Sequence, residues 1–347
     1  MIYINGRFLT QKITGVNRLA YELCNALYLN KVEFTIIAPK HILSDYNISN
    51  FRIILWGIGS SHFWEQFCLP TFFLFKKKYL LFNFSGLGPI LIKNQFITIH
   101  DMSILRHPEW FSKKYSYYYK IFYPIIVRRA LQILTISEFS RKEIVDCLNI
   151  EKNKISVIYC GVSNKFSNKE HNVCNSLDYE YVLAVSSIDP RKNFSRLLSA
   201  VNLLNSNTKL VIIGNKNKVF QNVGLNLSEK VVFLGHVSDE KLHKYYSNAK
   251  LFIFPSVYEG FGLPPLEAMA MGCPTIVSDI EVFHEVFGDA TRYFNPYDIN
   301  DIANCIQSVL NSDSLRSDLI NQGYKKAQKF NWEESAYTLM GLANKYI

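Results

Sequence analysis

Short runs of apolar residues alternate along this chain with longer stretches in which apolar positions recur every three or four residues. Runs of the first kind read as strands buried on both faces of a parallel sheet, and stretches of the second kind as helices that cover it. In the first half the strand candidates are 1–5, 34–38, 51–57, 79–84, 95–100 and 132–137. Residues 16–29 set Val16, Leu19, Leu23 and Leu27 on one helical face, the spacing of a core-facing stripe. The segment 166–178 is polar and aperiodic and reads as a linker. Beyond it the alternation restarts, with strands at 181–186, 209–213, 231–235, 250–255 and 275–278 and helices at 193–204, 239–248 and from about 299 to 345. The pattern predicts an α/β fold in two domains, 1–165 and 179–330, each a parallel sheet with helices on both faces.

One loop concentrates the chemistry. From Phe252 to Asp279 the chain reads F-I-F-P-S-V-Y-E-G-F-G-L-P-P-L-E-A-M-A-M-G-C-P-T-I-V-S-D. Gly260 and Gly262 let backbone approach a ligand closely. Pro264 and Pro265 suit a helix N-terminus, Gly272 suits its end, and Pro274 blocks continuation. A helix start after a glycine loop offers N–H groups and a positive dipole end to a phosphate. Glu259 and Glu267 ask for something else, because carboxylates repel phosphate and accept hydrogen bonds from hydroxyls. Phosphate and sugar hydroxyls together point to a nucleotide-linked sugar.

This segment resembles the signature of the retaining glycosyltransferases of family 4, which carries two glutamates separated by seven residues. The resemblance extends to A-V-S-S-I-D-P-R-K-N (184–193), T-I-S-E-F-S-R-K-E-I (135–144), V-I-Y-C-G-V (157–162), G-H-V-S-D-E-K-L (235–242) and the opening I-N-G-R-F-L-T-Q-K-I-T-G-V-N-R-L-A-Y-E-L (4–23). It implies the GT-B fold, two Rossmann-like domains facing each other across a cleft, with 331–347 packing back on the first. It implies that Glu259 contacts hydroxyls of the transferred sugar, that Glu267 contacts the ribose, and that the N–H groups of Phe261, Gly262 and Leu263 face the distal phosphate and sugar. Arg191 and Lys192 fall in the family's diphosphate-binding segment. The chain has no D-x-D pair that would hold a metal on a sugar diphosphate. The two cations are therefore expected to neutralise the leaving group, with no metal and no cofactor. Ser186 and Ser187 stand where the family often has glycine. The resemblance further implies a diphosphate contact for Gly15, a sugar contact for His100, and a place in the donor site for Gly214, His236 and Val237. Asp101 either orients the His100 ring or caps the following turn. Ser137 and Glu138 are cleft residues or simply turn and cap residues.

Composition narrows the setting. The 347 residues are 48% hydrophobic, far too apolar for disorder. The charge of +9 is compatible with nucleic acid, an anionic membrane or an anionic substrate. No helix-turn-helix, zinc-finger or RNA-binding signature accompanies it, so nucleic acid is not expected as a partner. Seven scattered cysteines without a C-x-x-C pair fit reduced thiols in a cytoplasm. The opening M-I-Y-I-N-G-R-F has no basic region followed by an apolar stretch, so a secretory signal is not expected, and no apolar run approaches the ~20 residues of a membrane span. Basic and aromatic residues interleave in 72–79 and 111–129, including Lys113, Lys114 and Lys120. That pattern suits the inner face of an anionic membrane, or else a packed helix with a basic outer face.

The expected activity is retaining transfer of a hexose from a nucleotide diphosphate sugar to a growing, lipid-linked bacterial surface glycan. GDP-mannose is the favoured donor, because P-R-K-N resembles mannosyltransferase members, and UDP-sugars are the alternative. The competing readings are a sugar-nucleotide epimerase or phosphorylase on the same fold, and a catalytically silent nucleotide-binding scaffold. A dinucleotide oxidoreductase is disfavoured, since no G-x-G-x-x-G follows the first strand.

Overall fold

Isolated runs of β-branched and aromatic residues become short parallel strands that helices cover on both sides. The computed structural model describes residues 1–12, 15–43, 46–163, 166, 177–205, 207–214 and 229–347. They divide into two units, Met1–Gly161 with Asn331–Ile347, and Val162–Phe330. Most of the expected linker, 166–178, lies outside the described residues.

The sheet of the first unit has the order β3-β2-β1-β4-β5-β6-β7. Its strands are β1 (Ile2–Asn5), β2 (Phe34–Ala38), β3 (Ile53–Leu55), β4 (Leu80–Asn83), β5 (Gln95–Thr98), β6 (Gln132–Thr135) and β7 (Ile155–Val157). Neighbours pair in parallel throughout. Three amides buried in this sheet satisfy one another in a ladder. Asn5 Nδ2 donates to Asn83 Oδ1 at 2.9 Å, and Asn83 Nδ2 donates to Gln95 Oε1 at 2.9 Å. Gln95 Nε2 in turn donates to the carbonyls of Pro89 (2.7 Å) and Ile92 (2.6 Å). The ladder ties β1, β4 and β5 without leaving a buried donor empty. The Gly15–Leu29 helix buries Leu19, Leu23 and Leu27 as its period predicts, but Val16 is exposed at its first turn. The Trp332–Ala343 helix packs against it, with Ser335 Oγ donating to Tyr159 O at 2.6 Å.

The second unit has the order β10-β9-β8-β11-β12-β13, again all parallel. Its strands are β8 (Tyr181–Val185), β9 (Lys209–Ile213), β10 (Val231–Gly235), β11 (Leu251–Phe254), β12 (Thr275–Ser278) and β13 (Arg292–Phe294). Leu197, Ile212, Leu251, Ile253, Ile276 and Ile306 centre its core. The expected 299–345 helical stretch is three helices, Ile299–Leu310, Asp313–Ala327 and Trp332–Ala343, begun by side-chain caps from Asp298, Ser312 and Asn331.

Both strand orders reverse direction once. The chain turns back between β1 and β4 in the first sheet and between β8 and β11 in the second. Open parallel sheets bind ligands outside the carboxyl ends of their strands at such points.

Candidate functional site

The reversal in the second sheet collects most of the predicted residues. Arg191 and Lys192 sit in a 3-10 turn, Pro190–Lys192, after β8. Glu259 and the glycine loop follow β11, and Val257 N donates to Arg191 O at 2.8 Å, joining the two loops. Two further loops adjoin them. Ser186 N donates to Ile213 O (3.0 Å), and Gly214 N to Gly235 O (2.9 Å). Gly214 has φ +153°, and a Cβ there would lie 1.8 Å from Ser186 O, so only glycine fits this crossing. The family's usual glycine before the arginine–lysine segment is absent here, and the close approach is supplied by Gly214 from the neighbouring strand. His236 and Val237 follow β10, His236 exposed and Val237 half-buried.

Lys192 and Glu259, far apart in sequence, form a buried ion pair. Lys192 Nζ also lies 5.0 Å from the centre of the Phe254 ring. Burial pushes the Lys192 ammonium down from its ordinary value, against the opposing pull of Glu259. Arg191 Nε lies 3.3 Å from Asp189 Oδ1, and the other Asp189 oxygen accepts from Ser187 Oγ at 3.0 Å. Both cations therefore stand beside carboxylates. An anion brought there would compete with Glu259 for Lys192, and a Glu259 relieved of that lysine could accept from hydroxyls.

The helix after the loop runs Leu263–Ala270, entered through Gly262 at φ +107°. A side chain at 262 would press on Phe283 and Phe287, each 3.0 Å from the added carbon. Pro264 and Pro265 occupy the first turn, so this N-terminus has fewer N–H donors than an ordinary one: the prolines have none, and Leu266 N already reaches Gly262 O at 3.4 Å. The sequence expectation of a donor-rich helix start narrows to the loop N–H groups and Leu263. Phe261 is buried edge-on against Phe330, with ring centres 5.5 Å apart. Glu267 is buried inside the helix, where its Oε2 accepts from Tyr246 Oη at 3.2 Å.

Gly15, His100 and Asp101 belong to the first unit. Gly15 opens the Gly15–Leu29 helix with nothing within 4 Å of a would-be Cβ, so the fold itself does not require glycine there. His100 Nε2 lies 3.0 Å from Phe84 O. A carbonyl only accepts, so Nε2 carries the proton and the neutral ring presents Nδ1 as an acceptor. Burial holds the ring's pKa below its ordinary value despite Asp101, which favours that neutral form. Asp101 Oδ1 accepts from Ser103 N (2.9 Å) and Ser103 Oγ (2.5 Å), so its carboxylate holds the start of the Ser103–Arg106 turn from the position before the N-cap Met102. Ser137 caps the Glu138–Leu148 helix by accepting from Ser140 N at 3.0 Å, and Glu138 pairs with Arg141.

Sequence reasoning missed three members of the cluster in the second unit: Asp189, Tyr246 and Ser256. Ser256 is fully buried and its Oγ has no hydrogen-bond partner. Asp189 lies inside the quoted arginine–lysine segment and Ser256 inside the glutamate segment, but Tyr246 carries no motif signal.

Known proteins decide the family. Residues 13–166 match the model of Glycosyltransferase Family 4, and residues 167–326 that of Glycosyl transferases group 1. An O-antigen chain mannosyltransferase of Salmonella typhimurium is 31% identical over 311 residues, 87% of this chain and 85% of that protein. O-antigen chain mannosyltransferase B of Escherichia coli is 32% identical over 71% of this chain and 68% of its own length. The chain belongs to glycosyltransferase family 4. Solved structures share the fold of the transferase at low identity. A sucrose-phosphate synthase from Thermosynechococcus elongatus superposes with TM-score 0.79 at 21% identity, covering 99% of this chain and 98% of that one. An Anabaena protein solved with UDP-glucose gives TM-score 0.76 at 15% identity, with 99% of each chain covered. Among the described residues of the transferase, no helix is long and apolar enough to cross a membrane, and no cluster of His, Cys, Asp or Glu has a metal-binding arrangement.

Proposed function

We propose that the transferase moves a mannosyl residue from GDP-mannose, with retention at the anomeric carbon, to a hydroxyl of a growing lipid-linked surface glycan. The observation that carries the donor assignment is the Lys192–Glu259 pair at the strand-order reversal, beside Arg191 and the glycine loop. In this reading Arg191 and Lys192 hold the diphosphate and stabilise the charge that develops on it as the glycosidic bond breaks. Glu259 accepts from hydroxyls of the transferred sugar and Glu267 from the ribose. The chain offers no conspicuous nucleophile, which favours displacement on one face, with the departing phosphate taking the acceptor's proton. Two cations serve in place of a divalent metal. The choice of mannose rests on the names of the two relatives above. The basic and aromatic surface of the first unit supports residence on the inner, anionic face of a bacterial membrane.

A panel of GDP- and UDP-sugars tested for thermal stabilisation in EDTA addresses donor and metal together. A ligand bound only by the native state at a hundredfold excess over Kd adds about 2.7 kcal/mol. GDP-mannose is expected to give the largest shift, and transfer to a mannoside acceptor is expected to persist in the chelator. A larger shift with a UDP-sugar replaces the donor assignment. Donor consumption without an acceptor favours an epimerase or phosphorylase.

A further inference from the structure

We propose that His62 and Tyr118, carried above a buried Arg7–Glu65 ion pair, form a subsite for a pyranose ring of the acceptor; the proposal rests on the transferase reading above. Arg7 and Glu65 are both buried, with Arg7 Nε 3.3 Å from Glu65 Oε1. Asn5 Nδ2 donates to the same oxygen at 2.7 Å. An apolar pair of equal volume commonly serves stability as well as a buried ion pair does, so stability alone does not account for this one.

The backbone that delivers the two side chains is unusual as well. Ser61 has φ +56°, a left-handed conformation in a residue other than glycine. The helical run that follows, Ser61–Phe63, contains His62 and passes into a π-helical turn, Trp64–Cys68, that contains Glu65. Strain of this kind and π-turns both concentrate where a side chain must be aimed.

The location is the strand-order reversal of the first sheet. Arg7 follows β1, and its Nη2 donates at 3.0 Å to Ser85 O, just beyond β4. The preceding carbonyl, Phe84 O, is the one held by His100. Arg7 and His100 thus grip consecutive carbonyls of one loop, which sets the proposed subsite beside the histidine predicted to touch sugar.

The chemistry of this cluster matches a sugar better than a phosphate. Arg7 Nη1 lies 3.3 Å from His62 Nδ1, and the half-exposed imidazole stands 5.1 Å from the Tyr118 ring. Tyr118 stacks in turn on Phe122, with centres 4.2 Å apart. Two polar atoms in this cluster have no hydrogen-bond partner, Tyr118 Oη and Glu65 Oε2, the second with only a 3.5 Å approach from His62. The half-exposed His62 ring suits the C–H face of a pyranose, and the two enclosed, unpartnered oxygens beside it would be satisfied by hydroxyls that enter the cluster. A phosphate would want net positive charge, and Glu65 cancels that of Arg7.

Saturation-transfer NMR with methyl α-mannopyranoside, on the full chain with GDP present in excess, tests the assignment. Wild type should show transfer to the pyranoside. Its apparent Kd should weaken by about tenfold or more in His62→Ala, the effect of one lost hydrogen bond and a ring contact. It should also weaken in Tyr118→Phe, while the calorimetric titration with GDP stays unchanged in both. Tyr118→Phe removes one unpartnered oxygen and keeps the ring, so it decides the case if His62→Ala does not fold. No transfer in wild type, or transfer unaltered by the substitutions, overturns the subsite. So does loss of the signal in Glu259→Gln with retention in His62→Ala, which places the pyranoside in the donor loop. Absence of GDP binding by wild type registers separately, as failure of the donor reading.

Discussion

Glu259 and Glu267 are both buried carboxylates, but they keep different company, and the difference separates their roles. Glu259 faces an ammonium, whereas Glu267 faces a tyrosine hydroxyl. Glu259→Gln takes a counter-charge from a buried lysine, so turnover should collapse while GDP binds at least as well as in wild type, because Lys192 no longer has a competitor for the diphosphate. Glu267→Ala removes the acceptor proposed for a ribose hydroxyl and should weaken GDP by about 1.5–3 kcal/mol, roughly one to two orders of magnitude. Calorimetry with GDP beside initial rates measures both. The assignment is reversed if Glu267→Ala leaves GDP affinity intact and Glu259→Gln destroys it. At this scale the two glutamates and the arginine–lysine step are legible in sequence, since glycines and prolines mark the loop around them. Their pairing is not. Lys192 and Glu259 are 67 positions apart, and only the adjacency of β8 and β11 brings them together.

At the scale of elements, apolar runs locate the longer strands because most of them, unlike the half-buried β10, are buried on both faces. β7 and β13 are not read from sequence, since each is three residues with a polar residue among them, whereas the equally short β3 is the unbroken apolar triplet Ile53–Leu55. The Trp64–Cys68 π-turn is equally silent in sequence, and with it the Arg7–Glu65 pair. That pair has a pH signature. Burial alone would raise the Glu65 carboxyl, but Arg7, His62 and Asn5 override it and hold the group below its ordinary value of 4.5. A carboxylate with a depressed folded pKa contributes stability that is fully present above pH 4.5 and is lost as pH falls through the folded value. Glu65→Gln should therefore cost about 3–5 kcal/mol at neutral pH, the usual penalty for orphaning a buried charge. It should also flatten the loss of stability on acidification below pH 4.5, the ordinary value for this group. Urea unfolding followed from pH 7 to pH 3 checks this, and a variant whose acid limb parallels wild type removes Glu65 as the titrating group.

For the whole molecule the open question is where a chain of charge +9 resides. The sequence singled out two basic aromatic stretches, and the structure treats them differently. The Lys113–Arg129 helix turns Tyr119, Tyr123, Ile126 and Val127 into the core and leaves Lys113, Lys114 and Lys120 outside, the arrangement of a packed helix with a basic face. The other stretch ends a helical run from which Phe63, Phe67 and Leu74 project into solvent, and Phe75, 95% exposed, precedes the lysines 76–78. Phe63 and Phe67 touch each other, with ring centres 5.2 Å apart. Exposed aromatics beside lysines are what an amphipathic segment presents to anionic headgroups. Each basic residue near such a surface contributes about 1 kcal/mol, so Lys77→Gln with Lys78→Gln should lower partition onto anionic vesicles roughly thirtyfold. The same change at Lys113 and Lys114 should do less, because the exposed rings beside them, Tyr115 and Tyr117, are less apolar than phenylalanine and less exposed than Phe75. Raising salt from 0.1 M to 1 M shortens the screening length from about 10 Å to about 3 Å and should release the wild type. Co-sedimentation with anionic and with neutral vesicles distinguishes the possibilities. Equal recovery on both, indifferent to salt and to either pair of substitutions, leaves the lysines as ordinary surface charge and ends the membrane reading.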